Sequence, residues 1–180
     1  ISVQIGNATH DAQEPALKIS LVQALSSSDR MDFSIQKAVE LGVSHIQPLL
    51  TERSARLAAD RSEKRQQHWQ QVIIAACEQC GRNTLPTLAP LVQLGHYAAA
   101  PSADLRLVLA PTGAKRLAEL TPPTGGIQLL IGAEGGLSDT ELMQLQQQGW
   151  QNIVLGPRVL RTETAGLAAL AAIQTLWGDF

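Results

Sequence analysis

Apolar and polar positions along the chain fall into short blocks whose period switches between two and about three and a half. KISLVQAL (18–25) alternates and predicts a strand. Asp32 is placed to cap a helix from Phe33 to Leu41, and Gly42 stands where a helix usually stops. SHIQPLL (44–50) predicts the next strand. From about Asp60 to Cys80 the spacing is helical, with Trp69, Val72, Ile73 and Ala76 on one face and Gly81 at the end. A short extended piece near Leu85–Leu88 and a weaker helix near Val92–Ala99 follow. DLRLVLAP (104–111), GIQLLIG (126–132) and NIVLG (152–156) predict three more strands, and LAEL (117–120) one helical turn. Ser138 and Glu141 fit a capping box that opens a helix to Gln148. Thr162 or Glu163 opens a final helix that ends near Trp177.

Strands therefore alternate with helices to the end of the chain. That order predicts an α/β domain with a mostly parallel sheet and flanking helices. Such sheets bind ligands beyond the carboxyl ends of their strands. Three loops lie at such ends, after Leu109, after Ile131 and after Leu155. If they converge they form one pocket.

Composition narrows the class. The 180 residues suffice for a domain with a sizeable core, and 44% hydrophobic with 17% charged residues excludes a disordered chain. No apolar run is long enough to span a bilayer, and the start carries no secretory pattern. Cys77 and Cys80 make no disulfide framework, so the default compartment is the cytoplasm. The net charge of −2 gives no basic field; nucleic-acid binding would need local arginines or a further segment. The opening ISVQIGN reads as the last strand of a preceding piece, and ATHDAQEPA (8–16) as a linker.

The stretch GAEGG (132–136) invites a chemical reading. Its glycines permit positive φ and close backbone approach to a ligand. The helix start after it offers free N–H groups to an anion. Glu134 argues against phosphate and for a partner with cationic or hydroxyl groups. There is no G-x-G-x-x-G and no Walker lysine, so the usual nucleotide fingerprints are missing. A plain tight turn is the bland alternative.

In LGPRVLRTETAG (155–166), Arg158 and Arg161 share one loop and suit phosphates or carboxylates, or simply a soluble surface. The helix AGLAALAAIQTLW after it is rich in alanine. It suits core on all sides, or core on one face and a subunit contact on the other. CEQC (77–80) lies in a helix's last turn and reads as two buried small residues rather than a metal or redox pair. His10, His45, His68 and His96 have no ligand spacing, so no metal is expected. The segment 53–82 is the most basic, with Arg53 and Arg82 at its ends; it reads as a solvated helix face or a phosphate-tracking patch.

Four ordered motifs go further. RMDFSIQKAVELGV (30–43), AACEQCGRN (75–83), LLIGAEGGLSDTE (129–141) and VLGPRVLRTETA (154–165) together resemble the ribosomal RNA small subunit methyltransferase E family. The match covers roughly residues 18–180. The family's loop commonly reads G-P-E-G-G, and Ala133 stands here in place of the proline.

The resemblance implies a SPOUT-type domain over 18–180 with a C-terminal trefoil knot, preceded by the remnant of an N-terminal PUA-like RNA-binding domain and its linker over 1–17. It implies S-adenosyl-L-methionine as cofactor and methylation of uridine N3 in 16S ribosomal RNA of the small subunit. It implies a cytoplasmic homodimer with neither membrane nor metal. Cofactor contacts are expected from Leu109, Pro111, Ile131, Gly132, Glu134, Gly135, Gly136, Leu155, Gly156, Val159 and Leu160. Arg53, Arg82 and Arg158 are expected on RNA. Arg161 is expected to steady a uracil oxyanion or a phosphate, and Glu134 or Glu163 to accept a proton or to serve structure alone. Two alternatives stay open. One is a non-catalytic RNA-binding module or a SPOUT enzyme with another RNA target. The other is a nucleotide-binding oxidoreductase, which lacks its fingerprint here.

Overall fold

The computed structural model describes residues 14–54, 62–110 and 115–180. Eight strands and five helices alternate along these residues: β1 (Ile19–Ala24), α1 (Ser28–Glu40), β2 (His45–Leu50), α2 (Ser62–Cys80), β3 (Thr87–Leu88), β4 (Val92–Gln93), α3 (Leu94–Ala98), β5 (Leu105–Leu109), β6 (Lys115–Arg116), β7 (Ile127–Ile131), α4 (Asp139–Gln147), β8 (Gln151–Val154) and α5 (Thr162–Trp177). A 3-10 turn, Leu117–Glu119, follows β6. The strands form one sheet in the order β3-β2-β1-β7-β5-β8-β6, with β4 also pairing β2. Every pairing is parallel. Leu21 sits opposite Ile46 on one side and Leu129 on the other, and Val108 opposite Leu130. The parallel α/β architecture expected from the alternation is therefore what the chain adopts.

Both faces of the central strands are buried, which is why β7 reads IQLLI rather than as a strict alternation. Ile127, Leu129 and Ile131 face a layer that holds Met31, Ile35 and Val39 of α1, Trp69 and Ile73 of α2, and Ala169, Leu170 and Ile173 of α5. Leu130, Val22 and Val108 face a smaller layer with Leu94 and Ala98 of α3, Leu145 of α4 and Trp150. No helix among the described residues is long and apolar enough to cross a membrane.

Two boundaries depart from the sequence expectation. Helix α1 begins at Ser28, four residues before the expected cap, and Asp32 lies inside it, 2.7 Å from His68 Nε2 on α2. The helix start is fixed from a distant part of the chain, as described below. The expected helix over Val92–Ala99 splits into the short strand β4 and the single helical turn of α3. The start of the expected 60–80 helix lies outside the described residues, as do the opening strand and most of the linker. Cys77 is buried in the last turn of α2 and Cys80 is partly buried; both are free thiols.

Candidate active site

Because all strands run the same way, their carboxyl ends share one edge. There the loops after β5, β7 and β8 line a single cleft of about 770 Å³. Leu109 and Ala110 come from the end of β5. Ile131, Gly132, Glu134, Gly135 and Gly136 come from the turn after β7. Leu155, Gly156, Val159 and Leu160 come from the loop after β8, with Arg158 and Arg161. Pro111 lies outside the described residues.

The turn is compact. The Gly136 N–H donates to Ala133 O at 2.8 Å, and Gly136 takes φ +70°, a conformation that side-chain-bearing residues rarely adopt. Ser138 and Glu141 form the expected capping box: the Glu141 N–H donates to Ser138 Oγ at 3.1 Å and the Ser138 N–H to Glu141 Oε2 at 2.9 Å. Thr162, the first residue of α5, donates to Gly132 O at 2.6 Å and accepts from Gln23 Nε2 of β1 at 3.0 Å. This buried chain of bonds ties the end of β7 to α5.

Glu134 faces α1. Its Oε1 accepts the Ser27 N–H at 2.9 Å and Arg30 Nη1 at 3.0 Å. Partial burial pushes its carboxyl pKa up. The Ser27 N–H, the Glu134 backbone N–H and the Arg30 guanidinium outweigh that and hold it below the usual carboxylate range. Both bonds brace the turn against the start of α1, and a carboxylate held in this way is a weaker proton acceptor. Arg30 also lies 3.6 Å from Glu163 Oε1, while Glu163 Oε2 is buried with no hydrogen-bond partner among the described residues. Arg30, Asp139, Leu142 and Thr162 line the cleft as well, and sequence reasoning did not single them out for it. Arg30 lay inside a quoted motif, but nothing in a helix's first turn marks one cation as reaching a loop 104 positions away.

The arginines divide. Arg158 and Arg161 are exposed and make no ion pair among the described residues. Arg53 reaches the turn: its Nη1 donates to Gly135 O at 2.8 Å and to Leu137 O at 3.3 Å. Arg82 does not belong to the site. Its side chain is 5% exposed and pairs with Glu14 at 2.6 Å. It also donates to Val39 O and Val43 O, at the opposite end of the sheet. Arg82, expected on RNA, is thus turned inward, away from the cleft. Among the described residues no cluster of three His, Cys, Asp or Glu side chains is arranged to hold a metal ion.

The chain can now be set beside known proteins. The family model for an RNA methyltransferase domain matches residues 13–174. A ribosomal RNA small subunit methyltransferase E from Buchnera aphidicola is 39% identical over 168 residues, covering 92% of this chain and 68% of the relative. This chain belongs to the ribosomal RNA small subunit methyltransferase E family. A crystal structure of the family's protein from Neisseria gonorrhoeae, bound to S-adenosyl methionine, superposes with a TM-score of 0.91 at 44% identity, covering 96% of this chain and 71% of that one. A putative methyltransferase from Legionella pneumophila, in complex with the same cofactor, gives 0.90 at 41% identity, covering 94% and 70%. Membership accounts for the four motifs at once, since three of them border the cleft.

Proposed function

We propose that this chain transfers a methyl group from S-adenosyl-L-methionine to N3 of a uridine in 16S ribosomal RNA of the small subunit. The observation that carries the reading is the cleft itself: a backbone-rich and apolar wall bordered by the exposed arginines Arg53, Arg158 and Arg161. Family membership supports the RNA substrate, and the cofactor-bound relatives support the methyl donor. Two free cysteines suit a reducing cytoplasm.

The cleft fits such a cofactor. Its volume lies within the range of roughly 300–1,000 Å³ usual for small-molecule sites. Carboxylates of Glu134, Asp139 and Glu163 line it, which suits a ligand with a sulfonium and an ammonium. Leu109, Ile131, Gly132, Glu134, Gly135, Gly136, Leu155, Gly156, Val159 and Leu160 would hold the cofactor. Once bound, it supplies an electrophilic methyl group on sulfur.

The residues of the chain do the rest. The target base leaves its stack to enter the cleft, with Arg158 and Arg161 on the RNA side. Uracil N3 carries a proton that must be lost. Glu163, with one carboxylate oxygen lacking a partner, takes that proton. Arg161 neutralises the charge that grows on the uracil carbonyl oxygens. The knotted C-terminal path and the homodimer belong to the same proposal, supported by the three converging loops and by Val159, which is 89% exposed.

The test is to incubate unmethylated small subunits with the protein and isotopically labelled cofactor, then map the modified nucleoside by mass spectrometry. Label on uridine N3 is expected; a ribose or guanine product overturns the assignment. Arg161→Ala and Glu163→Gln should each lower kcat about 100-fold while cofactor affinity stays near wild type.

A further inference from the structure

We infer that Arg53 is a positioning residue that, together with Glu141, fixes the orientation of the two peptide groups flanking Gly136 and Leu137 in the cofactor turn. Arg53 lies just past the end of β2, in the segment Thr51–Ser54 that the Thr51 and Ser54 hydroxyls close on themselves at 2.8 Å. It takes two carbonyls of the neighbouring turn, Gly135 O and Leu137 O.

In a trans peptide the C=O and N–H point in opposite directions, so gripping one end aims the other. The peptide 135–136 gives its oxygen to Arg53 and its N–H to Ala133 O at 2.8 Å. The peptide 137–138 gives its oxygen to Arg53 and its N–H to Glu141 Oε2 at 2.9 Å. Both planes are held at both ends. Gly136 and Leu137, which line the cleft, sit between two fixed points.

Glu141 closes the arrangement from the other side. It is buried, and its second oxygen accepts the Glu52 N–H at 2.8 Å. The segment carrying Arg53 is thus anchored by the same carboxylate that caps α4. Gly135 belongs to this device as well. A Cβ there would come within 3.1 Å of Arg53 Cβ and 3.3 Å of Arg53 Cδ, so glycine lets the arginine stem lie along the turn.

The consequence for cofactor affinity rests on the function proposed above; the clamp itself does not. The experiment uses the full chain and the variants Arg53→Met, which keeps the stem and loses the donors, and Arg53→Lys, which restores donors on one nitrogen. Amide hydrogen exchange at Gly136 and Ser138 should speed up in Arg53→Met and recover in part in Arg53→Lys. Unchanged exchange in Arg53→Met overturns the clamp whether or not cofactor binds. Calorimetry with S-adenosylmethionine should show Kd rising about tenfold in Arg53→Met with partial recovery in Arg53→Lys. RNA affinity and its salt dependence should stay as in wild type. A lower RNA affinity with a salt slope reduced by about one, and unchanged cofactor Kd, would make Arg53 a phosphate contact instead. Wild-type protein that gives no heat with the cofactor refutes the proposed function, and the exchange data still judge the clamp.

Discussion

Helix α1 has no side-chain cap of its own at Ser27, and Glu134 supplies the missing acceptor from across the cleft edge. A carboxylate at a helix N-terminus is favoured both by the free N–H groups and by the helix dipole. Arg30 in the same first turn adds a charge-assisted bond. The sign of the pH effect follows. The folded protein holds the Glu134 pKa below its ordinary value, so the ionised form contributes stability above roughly pH 4. That contribution disappears as pH falls through the folded value. Thermal melts of Glu134→Gln and wild type should therefore differ by a constant amount between pH 6 and 8 and converge only as the pH falls through the lowered folded value. A gap that persists unchanged in acid would mean that Glu134 acts through packing rather than charge. None of this could be read from the glycine-rich stretch. The motif announces a tight turn, but Ser27 and Arg30 lie 107 and 104 positions away.

At the scale of elements, local pattern was a good guide where an element carries its own signals. The Ser138–Glu141 capping box is formed as the spacing predicts, because both partners sit within one turn. The start of α1 departs from local pattern because its cap is remote and Asp32 only resembles one. The inward position of Arg82 is illegible in the sequence for a related reason. Basic residues in a mixed-charge segment look alike in sequence, yet this one is drawn inside by Glu14 and by the carbonyls of Val39 in α1 and Val43 in the loop after it. The hydrogen bond from Arg82 leads the influences that hold the Glu14 carboxyl below the usual range, ahead of the opposing effect of burial. Removing one partner of such a pair leaves the other charge stranded. Arg82→Met should cost about 3 kcal/mol, or roughly 6–12 °C in Tm for a domain of this size. Cofactor affinity should hardly change, since the pair sits at the amino ends of the strands and the cleft at the carboxyl ends. A variant that melts normally but loses RNA binding would restore Arg82 to the surface role first expected of it.

For the molecule as a whole, the alanine-rich last helix asks what its outer face meets. Ala165, Ala169, Leu170 and Ile173 of α5 are buried against the sheet and α1. On the other side run Thr164, Ala168, Ala171 and Thr175, at helical spacing and all small, each partly or fully exposed. Small side chains leave room for a second helix to approach closely. Beyond them Leu176 and Phe180 are exposed, and Val159 projects from the loop that borders the cleft. Scattered exposed apolar residues are ordinary, but here they flank one smooth face beside the site. The proposed homodimer would cover that face and bring the partner up to the cleft rim. Ala171→Glu places a charge in the middle of it while leaving the buried side of α5 intact. Sedimentation velocity should show a dimer for wild type and, for the variant, a particle near the 19.3 kDa of a single chain. Cofactor binding should weaken in the variant, because the loop bearing Val159 lines the cleft and would lose its cover. Wild-type protein that sediments as a monomer at tens of micromolar would sink the dimer. The α5 face would then be plain surface, and the cleft would have to do its chemistry within one chain.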